Sequence, residues 1–437
     1  MAWTAVAVSL WACDGGDGAT TGTQDTSETQ DVADLGTDAT ADTADSATAD
    51  AVEDTALDAA TADAVEDTAQ DTATLDAAED AVAPDVAVDE VDTSTPSYPA
   101  ATRVVVGRAF DANSATICIF RQDAEPWCWG LDIQGQAFGK GTVALVKGQE
   151  LALSEVVDFA ASNTAACALK KGGTLWCVGE ANMPGTGNNA PWTQVTLPNA
   201  PTLKAIFAGY AGFAALATNG DVYGFGYSLG FGGPFAEGPK LIDSGVAQVL
   251  SGMAATVFLK DALPDTVFGN FGWEVPNYTE ATPVAAPFDI AGGNAGWDST
   301  VLLAADGTLW GIGRNDNKLT AELGAWKEWK QLPSIPGVVE VVTHSAGACA
   351  LLGSGEVHCF GMASAPLGRP PVGDGNQPAG AVQFNGQPLT GIAHIYAGMS
   401  TMIALGKDGS VWMWGFGPAP TGGSGGWPVM KIYPPAP

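Results

Sequence analysis

CALKKGGTLWCVG, from Cys167 to Gly179, reads as a β-hairpin. Small and apolar residues run to Leu169, Lys170 to Gly173 supply turn chemistry, and the apolar pattern resumes at Leu175. Six other segments share its register: CIFRQDAEPWCWG from Cys118, AALATNGDVYGFG from Ala214, VFLKDALPDTVFGNFG from Val257, VLLAADGTLWGIG from Val301, CALLGSGEVHCFG from Cys349 and IALGKDGSVWMWG from Ile403. The large apolar residue two after the first slot advances through Phe120, Leu169, Leu216, Leu259, Leu303, Leu351 and Leu405. Glycines in Asn219-Gly220, Asp306-Gly307, Ser354-Gly355 and Asp408-Gly409 provide the positive φ that tight hairpin turns need.

Further apolar runs flank each hairpin. Val156 to Phe159, Leu203 to Phe207, Val338 to Val342 and Ile392 to Tyr396 precede one; Trp192 to Leu197 and Ala381 to Phe384 follow one. About four strands per unit of this size meets the requirement for a propeller blade. The expected fold is therefore all-β, a seven-bladed β-propeller over residues 99–437.

The repeat resembles that of the regulator of chromosome condensation family. The motif positions are carried best by WCWGLDIQGQAFG, from Trp127 to Gly139, and by WMWGFG, from Trp412 to Gly417. The resemblance covers roughly residues 101 to 433, and unit four departs most, with two extra residues in its turn and no Trp. It implies seven blades, in agreement with the count of units. The family's namesake is a nuclear exchange factor for a small GTPase that binds chromatin. An exported chain meets neither partner, so exchange activity is not expected. Secreted bacterial members bind other proteins through loops on one propeller face, which fits this chain's address better.

That address comes from the N-terminus. Ala5 to Ala12 is a short apolar run, and Leu10-Trp11-Ala12-Cys13 resembles the lipobox of bacterial lipoproteins, which makes residues 1–12 a signal peptide and Cys13 the lipidation site. The n-region departs from that pattern, since no Lys or Arg precedes the run. A late start codon would account for this. An ordinary secretory signal with an incidental cysteine is the alternative, and either implies export. The lipoprotein reading places the chain at the outer membrane, cell surface or periplasm.

Residues 13–98 cannot bury a core. From residue 14 they carry 24 of the 49 acidic residues, no Lys or Arg and no aromatic residue before Tyr98. Most of the net charge of -32 sits there, and AVEDTA occurs twice, at Ala51 to Ala56 and Ala64 to Ala69. Low hydrophobicity with one sign of charge predicts an extended, disordered acidic linker; a marginal Ala-rich helix is the alternative. The excess of acid also argues against a nucleic-acid partner.

Six of the seven cysteines occupy equivalent slots in three units: Cys118 and Cys128, Cys167 and Cys177, Cys349 and Cys359. The other units hold small or apolar residues there, which suits inner strands packed on both faces. Random scatter over these fourteen slots would leave every unit with both or neither only about 1 percent of the time. Disulfides within hairpins are expected, since directly opposed residues lie about 4.5 to 5.5 Å apart. Blades one, two and six carry them, around the place where a closed ring meets its own ends, so reinforcement of that seam is one reading and plain scatter the other.

Chemistry is sparse. His344, His358 and His394 lie in or beside expected strands, and a structural role is favoured. Asp132, Glu180, Glu274, Asp316 and Asp374 fall in loops where a carboxylate pair could act on a glycan. Arg314 to Lys318 lacks calcium-loop spacing and reads as a surface turn. No cofactor, metal site or catalytic constellation is recognised. The expectation is a monomeric, non-enzymatic module that binds an unknown protein or glycan at the cell envelope, touching the membrane only through its lipid. Trp192, Trp273, Trp326, Trp329 and Trp427 are the candidate contacts, with packing between blades as the alternative for each. An envelope glycan lyase or hydrolase and a plain structural surface protein are the rival functions.

Overall fold

The computed structural model describes residues 98–107, 115–131, 145–151, 153–163, 165–179, 191–226, 238–253, 255–271, 283–297, 299–315, 319–320, 322, 324–421 and 424–434. The signal segment, Cys13 and nearly all of the acidic linker lie outside them. Among the described residues every regular element is a strand.

Seven four-stranded antiparallel meanders follow one another along the chain. Blade one is β1 (Ala101–Val106), β2 (Thr116–Arg121), β3 (Ala124–Leu131) and β4 (Leu145–Glu150); blade two is β5 (Val156–Ala161), β6 (Ala165–Lys170), β7 (Leu175–Gly179) and β8 (Thr193–Val195). Blade three comprises β9 (Leu203–Ala208), β10 (Gly212–Ala217), β11 (Val222–Gly226) and β12 (Lys240–Asp243); blade four comprises β13 (Gln248–Ser251), β14 (Ala255–Lys260), β15 (Leu263–Phe271) and β16 (Pro283–Ala285). Blade five contains β17 (Ile290–Ala295), β18 (Ser299–Ala304), β19 (Leu309–Arg314) and β20 (Ala325–Gln331); blade six contains β21 (Val338–His344), β22 (Gly347–Leu352), β23 (Val357–Met362) and β24 (Asn376–Ala381). A small hairpin, β25 (Gln383–Phe384) and β26 (Gln387–Pro388), precedes blade seven, which is β27 (Ile392–Ala397), β28 (Thr401–Gly406), β29 (Val411–Pro418) and β30 (Ser424–Tyr433). The run from Ala381 to Phe384 is thus not the fourth strand of its unit. That strand is β24, and Gln383–Phe384 opens the extra hairpin.

The first strand of each blade packs beside the first strands of its neighbours, and β27 packs beside β1, so the ring closes. Second strands are sandwiched between blades: GFAALA in β10, STVLLA in β18 and TMIALG in β28 are buried throughout. This explains why they read as near-continuous apolar runs rather than alternating ones. Seven apolar clusters fill the seven joints between consecutive blades. Each fully buried Leu, Val or Phe in them contributes about 1.5–3 kcal/mol.

All three disulfides form, with Cα separations of 4.1, 4.1 and 4.0 Å. They join second to third strands at directly opposed residues, Cys118 to Cys128, Cys167 to Cys177 and Cys349 to Cys359. These strands lie one and two places outward from the strand that lines the channel. Each pair is buried in the joint with the following blade, where Ala214, Val257 and Val301 stand in other units.

Candidate functional site

The first strands of all seven blades enclose an axial channel of about 470 Å³. In six blades a β-bulge just before the third residue of this strand interrupts its pairing, between Ala101 and Arg103, Val156 and Asp158, Leu203 and Ala205, Ile290 and Gly292, Val338 and Glu340, and Ile392 and His394. Bulges re-aim side chains. Here they put Glu340, His394, Arg103 and Asp158 on four consecutive blades, six, seven, one and two.

These groups are committed to their neighbours. Arg103 Nη1 pairs with Asp158 Oδ1 at 2.8 Å, and Asp158 Oδ2 accepts from the Ile206 N–H at 2.8 Å, which links blades one, two and three. Ser251 Oγ donates to the Ala208 carbonyl across the next joint. Asn294 Oδ1 accepts from the Thr343 N–H and hydroxyl at 3.1 and 3.0 Å. Glu340 Oε1 accepts from the Ile395 N–H at 3.2 Å, while its Oε2 lies 3.1 Å from His394 Nδ1. Burial pushes the Glu340 carboxyl above its ordinary value in spite of both partners. Burial likewise pushes Tyr396 up to about 12, and a backbone bond from Val104 ties it to blade one. The channel is therefore lined by the joints of the ring, and Arg103, Asp158, Asn294 and Glu340 on its wall are engaged by neighbouring blades, while Gln248 is exposed there.

The tryptophans are dispersed. Trp326 is buried between blades five and six, with Lys330 Nζ 5.2 Å from its ring centroid. Trp329 is half-buried and meets Phe288 edge-on at 5.9 Å. Trp192 is half-buried against the joint of blades one and two. Trp427 is half-buried, donating from Nε1 to the Gly417 carbonyl at 2.8 Å. Trp273 lies outside the described residues, as do Asp132, Glu180, Glu274 and Asp316; Asp374 is exposed.

His344 is buried and its Nδ1 accepts from the Ala346 N–H at 3.2 Å. His358 Nε2 lies 3.3 Å from Glu356 Oε2. Within the run from Arg314 to Lys318, Asn315 is buried and its Oδ1 accepts from the Leu319 and Thr320 N–H groups at 2.8 and 3.1 Å, so it organises the turn. Among the described residues, no group of three or more His, Cys, Asp or Glu is placed to hold a metal ion.

One exposed aromatic borders open space. Between the 363–375 loop of blade six, the β25–β26 hairpin and the outer strands of blade seven lies a groove of about 640 Å³. Phe416, 49% exposed, lines one part of it, Pro366 and Pro428 another, and Arg369 and Gln383 its polar edge, while Trp427 borders it with its side chain packed toward the joint of blades seven and one. Trp414 forms the floor, with its Nε1 bonded to the Pro366 carbonyl at 2.9 Å. Arg369 lies against Gly380, where a Cβ would come within 2.5 Å of its Nε, and its Nη2 donates to the Pro378 carbonyl at 2.5 Å. Sequence reasoning named Trp427 alone of these. A signal for Phe416 was present in WMWGFG, where an apolar ring follows the positive-φ glycine Gly415.

No protein-family model and no curated protein sequence matches the chain. Solved structures do. Human WBSCR16 is 18% identical with a TM-score of 0.58, covering 70% of this chain and 93% of its own. Yeast RCC1 (Prp20), solved bound to Kap60, is 15% identical with a TM-score of 0.58, covering 70% and 83%. Prp20p from Saccharomyces cerevisiae, described with its binding to Gsp1p and histones, is 16% identical with a TM-score of 0.53, covering 64% and 76%. The fold is that of the RCC1-like seven-bladed propeller. Likeness at this level of identity establishes the propeller architecture and leaves its ligand to be argued from the propeller's own residues.

Proposed function

We propose that this chain is an exported, lipid-anchored propeller that binds a protein or glycan at the bacterial cell envelope and is not an enzyme. The observation that carries this reading is the commitment of the channel's charged groups, Arg103, Asp158 and Glu340, to the joints. With the channel used for closure, recognition falls to the loops. Three buried disulfides are consistent with an oxidising compartment. Yeast RCC1, whose structure is similar, was solved bound to another protein, Kap60.

Topology separates the two sides of the ring. In each meander the turn between second and third strands falls on the same side as the link to the next blade; the other two connections fall opposite. Tyr98–Ala100 and Tyr433 meet on the turn side, where the Ala101 N–H donates to the Gly409 carbonyl of a tight turn. The longer connections after the third strands, such as 363–375, therefore lie away from both ends of the described chain. They are the surface offered to a partner. Exchange activity and nucleic-acid binding are not carried over to this acidic chain, and a monomer suffices for the reading.

The test is affinity capture from envelope extracts with the full-length chain, beside a variant whose segments 132–144 and 180–190 are replaced by Gly-Ser of equal length. A partner enriched by the first and lost by the second supports loop recognition; identical partner sets refute it. In the same preparations Cys13→Ser should move the protein from the membrane fraction to the soluble one. Continued membrane partitioning would remove the lipid anchor from the proposal.

A further inference from the structure

The 363–375 connection of blade six is braced from within. Gln377, on β24, is buried at its base. Its Oε1 accepts from the Val372 N–H at 2.6 Å, and its Nε2 donates to the Gly373 and Gly375 carbonyls at 3.2 and 3.4 Å. Arg369 lies across Gly380, and its Nη2 donates to the Pro378 and Cys359 carbonyls at 2.5 and 3.4 Å, which staples the loop to β24 and β23. The Ala363 N–H closes the neck by donating to the Gly375 carbonyl at 2.7 Å. Above this base Pro370, Pro371, Val372 and Asp374 are exposed, and Val372, 80% exposed, is the most exposed large apolar side chain among the described residues. Single exposed apolar residues are ordinary. A braced one beside two prolines differs, because little ordering remains to be done when a partner closes on it.

We propose that residues 369–374 are a displayed recognition tip for a partner protein whose groove is lined by aromatic rings bearing N–H or O–H donors, with a basic residue at its edge. The inference rests on the binding-module reading and names the kind of partner. Successive prolines fix φ and bias the residue before each toward extended backbone, so Arg369-Pro370-Pro371 is preset for polyproline II. Prolines carry no N–H, so the tip offers carbonyl acceptors, the Val372 side chain and the Asp374 carboxylate. Aromatic walls take the proline faces and Val372, indole or phenol donors meet the carbonyls, and the basic edge meets Asp374. A glycan fits less well, since the Arg369 Nη2 and the Val372 N–H are donors already engaged by the loop's own base. A second copy of this chain also fits less well. The groove beside the loop has one exposed ring, Phe416, and the indole N–H groups of Trp414 and Trp427 are used on the Pro366 and Gly417 carbonyls.

The experiment uses the full-length chain in two photo-crosslinking forms, Val372→benzoylphenylalanine and Asp374→benzoylphenylalanine, irradiated in envelope extracts. Lys407→benzoylphenylalanine, exposed on the opposite side of the ring, is the control. The tip labels should join one partner protein that the control does not, through peptides containing Trp or Tyr. A cyclic peptide of residues 365–377 should compete for that partner, and its Pro370→Ala, Pro371→Ala form should compete about tenfold less well. With the partner purified, Val372→Asp in the full-length chain should weaken binding about tenfold or more. Its thermal midpoint should match the parent, because the side chain lies in water, which separates lost binding from lost fold. Equal labelling from position 407, cross-links only between copies of this chain, no cross-link from either tip site, or a partner that binds the Val372→Asp form as tightly as the parent would each overturn the proposal. If capture depends on segments 132–144 and 180–190 while the tip labels find nothing, the tip assignment alone is refuted. If the full-length chain enriches no partner at all, the binding-module reading falls with it.

Discussion

Glu340 shows how one residue can be unremarkable in sequence and consequential in the ring. It sits in an apolar run, VVEVVTH, which on its own suggests an exposed strand position. Its partners, Ile395 and His394, are 55 and 54 residues away in the next blade. Burial raises the folded-state pKa of its carboxyl above the ordinary value of 4.5. A carboxyl with a raised folded pKa favours the folded state most while protonated, so its contribution is full below the unfolded value and fades as pH rises through the folded one. Glu340→Gln keeps an oxygen for the Ile395 N–H and removes the titration. The melting temperature of the variant should therefore gain on the parent as pH rises above about 4.5, and the two curves should converge in more acidic buffer. Parallel curves across that window would show that Glu340 does not titrate as its burial implies. Nothing in the sequence alone marks the joint, because a polar residue on an inner strand is interpretable only once the neighbouring blade is placed beside it.

At the scale of the element, the hairpin was almost wholly legible. The turn glycines Gly173, Gly220, Gly307, Gly355 and Gly409 all have positive φ, as the turn pairs require. The glycine toward the end of the third strand has a separate cause. Gly130, Gly179, Gly226, Gly313, Gly361 and Gly415 all have positive φ, and a Cβ on Gly130 would lie 2.1 Å from the Ala115 carbonyl oxygen. Unit four places Phe271 at this position and absorbs its two extra residues between Leu259 and Lys260 through a register shift against β15. Gly130→Ala combines an unfavourable φ of 133° with a backbone clash and should cost about 1–3 kcal/mol in urea unfolding. Gly425→Ala, in open space with no such φ, should change stability by less than about 0.5 kcal/mol. Equal effects would mean that the strand end relaxes around the new methyl. Fourth strands were the weak point of the sequence reading, as Ala381–Phe384 shows. They lie at the outer edge, one face open, and their apolar signal is diluted: β24 is NQPAGA and β16 is PVA.

The whole molecule has one joint unlike the others. Blades one and seven are each built from a contiguous stretch, so no shared sheet closes the ring between them. Closure depends on contacts between chain ends. Tyr433 Oη donates to the Pro99 carbonyl at 2.6 Å, Trp129 Nε1 to Pro418 at 2.9 Å, and the Gly148 N–H to Pro420 at 2.9 Å. The Tyr98 ring meets Tyr433 edge-on at 6.1 Å. Burial raises the Tyr433 pKa, which keeps the phenol a donor. The disulfides stand at the joints of blades one with two, two with three and six with seven, to either side of this closure and not within it. If they serve the closure, they do so by stiffening its flanking blades. Tyr433→Phe should then cost about 1 kcal/mol with the disulfides intact. After reduction the same variant should lose hydrogen-exchange protection first in β1, β29 and β30, with β10 and β18 on the far side retaining theirs. Equal loss of protection across all seven blades on reduction would exclude a seam role and leave each bridge as a local reinforcement of its own hairpin. Each such bridge closes a short loop, for which about 2 to 3 kcal/mol is the expected contribution. A seam-first pattern would instead make three hairpin bridges act on a joint that contains none of them, through the blades that hold it on both sides.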